Sequence, residues 1–109
     1  MDMKSRQTYS VSRRWSKRAP EYRRLWEERY GTWGDRWEDV ELGYYYGDEM
    51  ASDSRYDGMH WGEAAPLLES SLPTWAVAHG YDARDEVNLW ERLRRTIRHA
   101  WQRARYNAR

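Results

Sequence analysis

Residues 37–47 read WEDVELGYYYG, and residues 90–100 read WERLRRTIRHA. Each line opens with Trp-Glu, and each places apolar residues three and seven positions after its Trp: Val40 and Tyr44 in one, Leu93 and Ile97 in the other. Steps of three and four gather side chains on one face of an α-helix, whereas a strand needs steps of two. Both lines close on a small residue, Gly47 or Ala100. Their charges are opposed, because the first is acidic and tyrosine-rich while the second carries four arginines and no acid after Glu91. This shared spacing decides the fold class. It is all-α, with about four main helices arranged as two degenerate helical hairpins around a Trp/Tyr core.

Working outward, the first line extends into a helix from Trp33 or Asp35 to about Ala51, with Trp33, Trp37, Val40, Tyr44, Gly47 and Ala51 on its face. Gly43 and Gly47 weaken that helix by ~1 kcal/mol each relative to Ala. Either another backbone comes close there, or the glycines are tolerated defects. Upstream, PEYRRLWEERYG places Tyr22, Leu25, Trp26 and Tyr30 on one face, with Pro20 in the first turn and Gly31 as the stop. Residues 52–60 form a polar connection with an Asp57-Gly58 turn. A third helix begins near Trp61, with Ala64, Ala65, Leu68 and Leu72 on one face and Pro66 in its first turn. Pro73 predicts a kink or break, followed by a short helix closed by Gly80. Asp82 and Asp85 are candidate N-caps for the last helix, which runs to about residue 105 with Trp90, Leu93, Ile97, Ala100, Trp101 and Ala104 as its face.

The order of helix, glycine stop, link and Trp-Glu helix thus occurs twice, over residues 20–51 and 61–106. It reads as a tandem duplication, the alternative being chance likeness between helices built from Trp, Glu and Arg. On the duplication reading Trp37 and Trp90 are buried at matching places. Residues 1–19 lack periodicity and read as a basic N-terminal arm ahead of a helical domain at 20–109.

Composition supports one folded domain. A chain of 109 residues buries roughly 65% of the surface it exposes when unfolded. Leu, Ile, Val and Phe supply only 12 residues, a disorder-like figure, but 8 Trp and 9 Tyr stand against it. The chain folds around Trp rather than Leu. It has no cysteine, which excludes disulfides and thiol chemistry. No stretch approaches the ~18 apolar residues of a membrane span, and the basic N-terminus has no apolar run, so a cytoplasmic protein is expected. The net charge of +1 hides a segregation: residues 1–24 carry +6, residues 25–91 carry −12 and residues 92–109 carry +7.

A further pattern runs from Tyr44 with Gly47 through Ala51, Asp53, Tyr56, Gly58, Trp61, Pro66 and Trp75 to Trp90, Glu91, Ala100 and Trp101. It resembles a short bacterial domain of unknown function that occurs in stress-associated proteins. The likeness covers a little over half the chain and departs from the domain's pattern by about three extra residues between Pro66 and Trp75. That departure bears on the shape of the third helix. The resemblance implies no activity.

No catalytic constellation stands out. His60, His79 and His99 are too far apart for one helical metal site, Ser70 and Ser71 lack a glycine elbow, and no phosphate loop is present. The expectation is a protein that is not an enzyme, with no cofactor, no metal and no small-molecule substrate. Two features suggest partners. Tyr44, Tyr45 and Tyr46 lie ~100° apart around a helix, so at least one is exposed or meets a second surface. On the last helix Arg94, Arg98 and Arg105 flank the apolar stripe, while Arg92, Arg95, His99 and Arg103 cover the back. The first reading is an interaction or assembly protein, a homo-oligomer or a small subunit of a larger complex. Its candidate interface is Tyr45 and Tyr46 together with Arg92, Arg95 and Arg103 facing Glu38, Asp39 and Glu49. The alternative is a sequence-nonspecific nucleic-acid-binding protein. Its contacts are Arg13, Arg14, Trp15, Lys17 and Arg18 of the arm with Arg94, Arg98 and Arg105. A third outcome is that the arginines face the protein's own acidic helices.

Overall fold

The computed structural model describes residues 12–81 and 88–107, which form four α-helices and one 3-10 turn, with no strand among the described residues. Helix α1 is Arg13–Tyr30, α2 is Trp37–Ala51, α3 is Trp61–Ala78 and α4 is Leu89–Asn107, with the 3-10 turn at Ser54–Tyr56. The fold is all-α, as the spacing predicts. No helix of the described residues is long and apolar enough to cross a membrane.

Helix α1 starts seven residues before Pro20 and takes in residues 13–19 of the expected arm. Ser12 starts it, its hydroxyl accepting from the Trp15 N–H at 3.0 Å and so satisfying a donor that a helix start leaves free. Helical phase then carries Trp15, Tyr22 and Trp26 to one side, where all three are buried. Pro20 lies inside the helix on its exposed side. Residues 1–11 fall outside the described residues.

Helix α2 runs through the middle of the molecule, with ten of its fifteen residues buried. Its three tyrosines do not share one core; they divide between two. Tyr46 joins an aliphatic cluster with Leu68 and Leu72 of α3 and Leu93 and Ile97 of α4. Tyr44 and Tyr45 join an aromatic cluster with Trp15, Tyr22 and Trp26 of α1. The second surface they meet is therefore internal. Each hydroxyl has a partner: Tyr44 lies 2.7 Å from His99 Nδ1, Tyr45 accepts from the Ser12 N–H at 3.0 Å, and Tyr46 donates to the Leu68 carbonyl at 2.7 Å. Trp33, expected on the face of α2, lies ahead of the helix and is 56% exposed.

Helix α2 approaches α4 through its two glycines. A methyl at Gly47 would overlap the Ile97 carbonyl oxygen and lie 2.8 Å from Ala100 Cβ. At Gly43 it would overlap the Thr96 hydroxyl and lie 3.2 Å from the Leu93 carbonyl oxygen. Thr96 and Ala100 are themselves small and four apart, so a notch on one helix receives a low ridge of the other. The acidic and basic helices meet inside one chain, along small residues rather than charges.

In α3 the stripe Ala64, Leu68, Leu72 and Ala76 is fully buried. The expected break at Pro73 does not occur, and Pro66 sits beyond the first turn; the helix runs through both. Both prolines are exposed, and the carbonyls they leave without a helical donor, those of Gly62 and Glu69, belong to exposed residues that water can serve. Gly80 closes α3 at φ +89°. Tyr81 N–H bonds to the Ala76 carbonyl and Gly80 N–H to the Val77 carbonyl, each at 2.9 Å, a paired cap that needs a left-handed residue. In α4 the stripe Leu93, Ile97, Ala100, Trp101 and Ala104 is buried as the spacing predicts. Trp90 departs from expectation. It is half-buried and stacked 6.1 Å from Trp61, whereas Trp37 is buried 5.9 Å from Trp26. Asp82 and Asp85 lie outside the described residues.

Candidate functional site

Part of the segregated charge is paired between helices. Asp48 of α2 has a fully buried side chain. Its Oδ1 accepts from Arg18 Nε at 3.0 Å and Nη2 at 2.8 Å and from the Tyr22 hydroxyl at 2.8 Å. Burial, and then the Asp48 charge, push the Tyr22 hydroxyl well above the usual phenol range. Arg14 lies 3.6 Å from Asp48 and 3.5 Å from Glu49, and it donates to Ser52 Oγ at 2.8 Å. Trp15 is fully buried and donates its indole N–H to Glu41 at 3.0 Å. Trp15, expected as a nucleic-acid contact of the arm, has no surface open to a partner here, and Arg14 and Arg18 hold α2 rather than standing free on an arm. Arg13 and Lys17 are exposed on the outer side of α1.

The candidate interface is also largely internal. Tyr45 and Tyr46 are buried against α1 and against α3 and α4, so neither reaches a partner. Arg92 donates to the Asp39 carbonyl and to the Tyr81 hydroxyl, the latter at 3.0 Å. Asp39 pairs with Arg36 at 3.3 Å, and Arg103 pairs with Glu21 at 3.1 Å. Glu38 lines a notch with Asp35, Asp39, Tyr81 and Arg92. Arg105 donates to the carbonyls of Tyr56 and Met59 and lies 4.3 Å from the Trp101 ring centroid.

What stays open is a groove where the end of α1 meets the outer face of α4. Arg29, Arg94, Arg95 and Arg98 line it with Tyr30 and Trp61, around a volume of about 540 Å³. No Asp or Glu lines it, and among the described residues none of these four arginines lies within ion-pair distance of a carboxylate. Rings support three of them instead. The Arg95 guanidinium is 4.4 Å from the Trp33 centroid and 5.9 Å from Tyr30; Arg98 is 5.9 Å from Trp61 and Arg29 is 5.5 Å from Tyr30. Such contacts contribute ~0.5–1 kcal/mol each at exposed sites. A guanidinium held over a ring keeps its in-plane N–H groups available to an acceptor. At the groove floor His99 is half-buried, and burial followed by Arg29 and Arg103 lowers its pKa from 6.5. The ring is neutral at neutral pH and adds no charge. Past Trp61 and Gln102 the groove continues into a second hollow of about 590 Å³, edged by Met59, Trp101 and Tyr106.

Arg94, Arg95 and Arg98 were legible as basic positions of the last helix. Arg29, Tyr30, Trp33 and Trp61 were not. Arg29 sits in a segment of net charge −12, periodicity assigns Tyr30 and Trp33 to core-facing stripes, and Trp61 marks only the start of the third helix. Among the described residues no group of three or more His, Cys, Asp or Glu is placed to hold a metal ion. Comparison with protein-family models, with curated proteins and with solved structures finds no match to this chain.

Proposed function

We propose that the protein is a non-catalytic interaction protein that holds a polyanionic partner in the groove between the end of α1 and the outer face of α4. The observation that carries this reading is the set Arg29, Arg94, Arg95 and Arg98 on one open surface, with no acidic lining residue. Like charges gathered without counter-charges repel one another, and a bound polyanion relieves that repulsion while releasing its own counterions. Several other arginines of the described residues are matched: Arg14 and Arg18 by Asp48, Arg103 by Glu21. Acid-to-base assembly between copies has less support, since Asp39, Glu49 and Arg103 already have partners within the chain.

Retention on immobilised heparin across a salt gradient tests the reading. The parent should bind at low salt and elute well below 0.5 M, because electrostatic contacts to a polyanion weaken steeply with ionic strength. Arg94→Glu with Arg98→Glu should abolish retention. Arg23→Glu with Arg24→Glu changes the net charge equally on the exposed side of α1 and should leave most of it. If the two double variants elute together, only overall charge matters and the groove has no special role.

A further inference from the structure

We infer that the polyanion is a single-stranded nucleic acid, with its phosphates on Arg94, Arg95 and Arg98 and its bases stacked on the rings that edge the groove. The inference rests on the polyanion reading of the same surface and adds what the aromatic residues say. Trp33 is 56% exposed and Tyr106 is 70% exposed. They stand near opposite ends of the arginine row, with Trp61 between them. Arg95 lies over the Trp33 ring and Tyr30 meets that ring nearly at right angles, 5.1 Å away, yet more than half of Trp33 stays exposed to a ligand.

An acidic peptide or a sulfated polysaccharide would use the guanidinium groups and leave these rings in water. A duplex would offer phosphates, but its bases are already stacked inside. An unpaired strand supplies both halves, alternating charge with flat apolar surfaces, which is the combination that arginine–aromatic grooves accept without regard to sequence. The reach is suitable. From Arg94 to Arg105 the helix advances ~17 Å at 1.5 Å per residue, enough for a few nucleotides. The acidic notch of Asp35, Glu38 and Asp39 is a separate surface, so the strand need not cross it.

The experiment measures binding of a twelve-nucleotide oligothymidylate by anisotropy and by tryptophan quenching in low salt. A duplex of the same length, heparin and poly-glutamate serve as comparisons. The single strand should bind at least tenfold more tightly than the duplex or poly-glutamate, with quenching that the other polyanions do not produce. Trp33→Ala removes both a stacking surface and the ring under Arg95, so it should weaken oligonucleotide binding about tenfold and heparin binding far less, and Tyr106→Ala should act in the same direction. Both rings are exposed, so both variants should keep the parent's helical circular dichroism. Arg94→Ala with Arg98→Ala should lower the slope of log K against log salt by about 1.4, at ~0.7 per phosphate on a single strand. Equal affinity for the single strand, the duplex and poly-glutamate, or ring variants that bind like the parent, would overturn the inference and leave a general anion surface. Failure of heparin and oligonucleotide alike would overturn the polyanion reading itself.

Discussion

The two sides of α2 are built differently. Toward α4 it offers no side chain at Gly43 and Gly47, and the contact is backbone on small residues. Toward α1 it offers rings: Trp15 stacks on Tyr45 at 5.1 Å and 13° and on Tyr22 at 5.4 Å and 25°, and Trp37 lies 5.5 Å from Tyr44. The glycine side depends on volume, since one added methyl meets a carbonyl that cannot move without its helix. The aromatic side depends on area and on polar closure, because each ring that leaves takes contacts with it and each hydroxyl or carboxylate that loses its partner stays buried. One helix is thus fixed by absence on one side and by bulk on the other.

The sharpest way to break this comparison is Gly47→Leu. Four extra carbons where a single Cβ already overlaps the Ile97 carbonyl oxygen exceed the ~1–3 kcal/mol of ordinary overpacking. The variant should show no cooperative thermal transition by circular dichroism. A cooperative melt near the parent's would mean that the two helices can separate at little cost. Next comes Trp15→Ala, which empties the centre of the aromatic side. Removal of a core aromatic costs ~3–5 kcal/mol, and urea denaturation should show a loss of that size in a chain that still folds.

Arg18→Ala tests polar closure. It leaves the Asp48 carboxylate with the Tyr22 hydroxyl and a more distant Arg14. The ~3–5 kcal/mol typical of breaking a buried pair should shrink to about 1–2 kcal/mol, because the Arg18 side of the pair reaches water. An Arg18→Ala chain as stable as the parent in urea would show that Tyr22 and Arg14 together satisfy the carboxylate.

The smallest effect concerns His99, where the aromatic side meets α4. Its folded pKa is lowered by burial, Arg29 and Arg103. The unfolded chain therefore takes up the proton first as pH falls through about 6.5, and folding stability declines below that value. Above it the histidine contributes no slope. Between pH 7.5 and 5.5 the parent should lose more stability than His99→Gln. His60 and His79 are common to both chains and cancel in the difference. Parallel profiles would mean that His99 titrates alike in folded and unfolded chains.

How much of this was legible depends on which physical signal each residue carries. The burial of Leu93, Ile97, Ala100, Trp101 and Ala104, and of Ala64, Leu68 and Leu72, follows from helical spacing alone. The close approach at Gly43 and Gly47 was one of two readings of a glycine pair, and the structure selects it. The start of α1 was hidden because RRWSKR has a single apolar residue, and one Trp has no period; its burial depends on Tyr45 and Glu41, 30 and 26 positions away. Pro20, Pro66 and Pro73 misled because a proline's cost depends on which side of the helix it faces, and that side is set by tertiary packing. The candidate site was half legible. Arginines at positions 94, 95 and 98 mark a basic face in any helical reading, but Arg29, Trp33 and Trp61 reach them only through the fold.

The near-total enclosure of α2 has a consequence for how the chain opens. Amide protons at a helix surface exchange with solvent through small local fluctuations, but α2 is covered by α1 on one side and by α3 and α4 on the other. The amides of its central turns can meet water only when a neighbour departs. Amides near Pro66 and Pro73 and in the outer turns of α1 should exchange first, through partial openings of low free energy. Those between Leu42 and Tyr46 should exchange last, at the rate of whole-molecule unfolding. The most tyrosine-rich segment would then report the stability of the entire fold, and the flanking helices only that of their own docking.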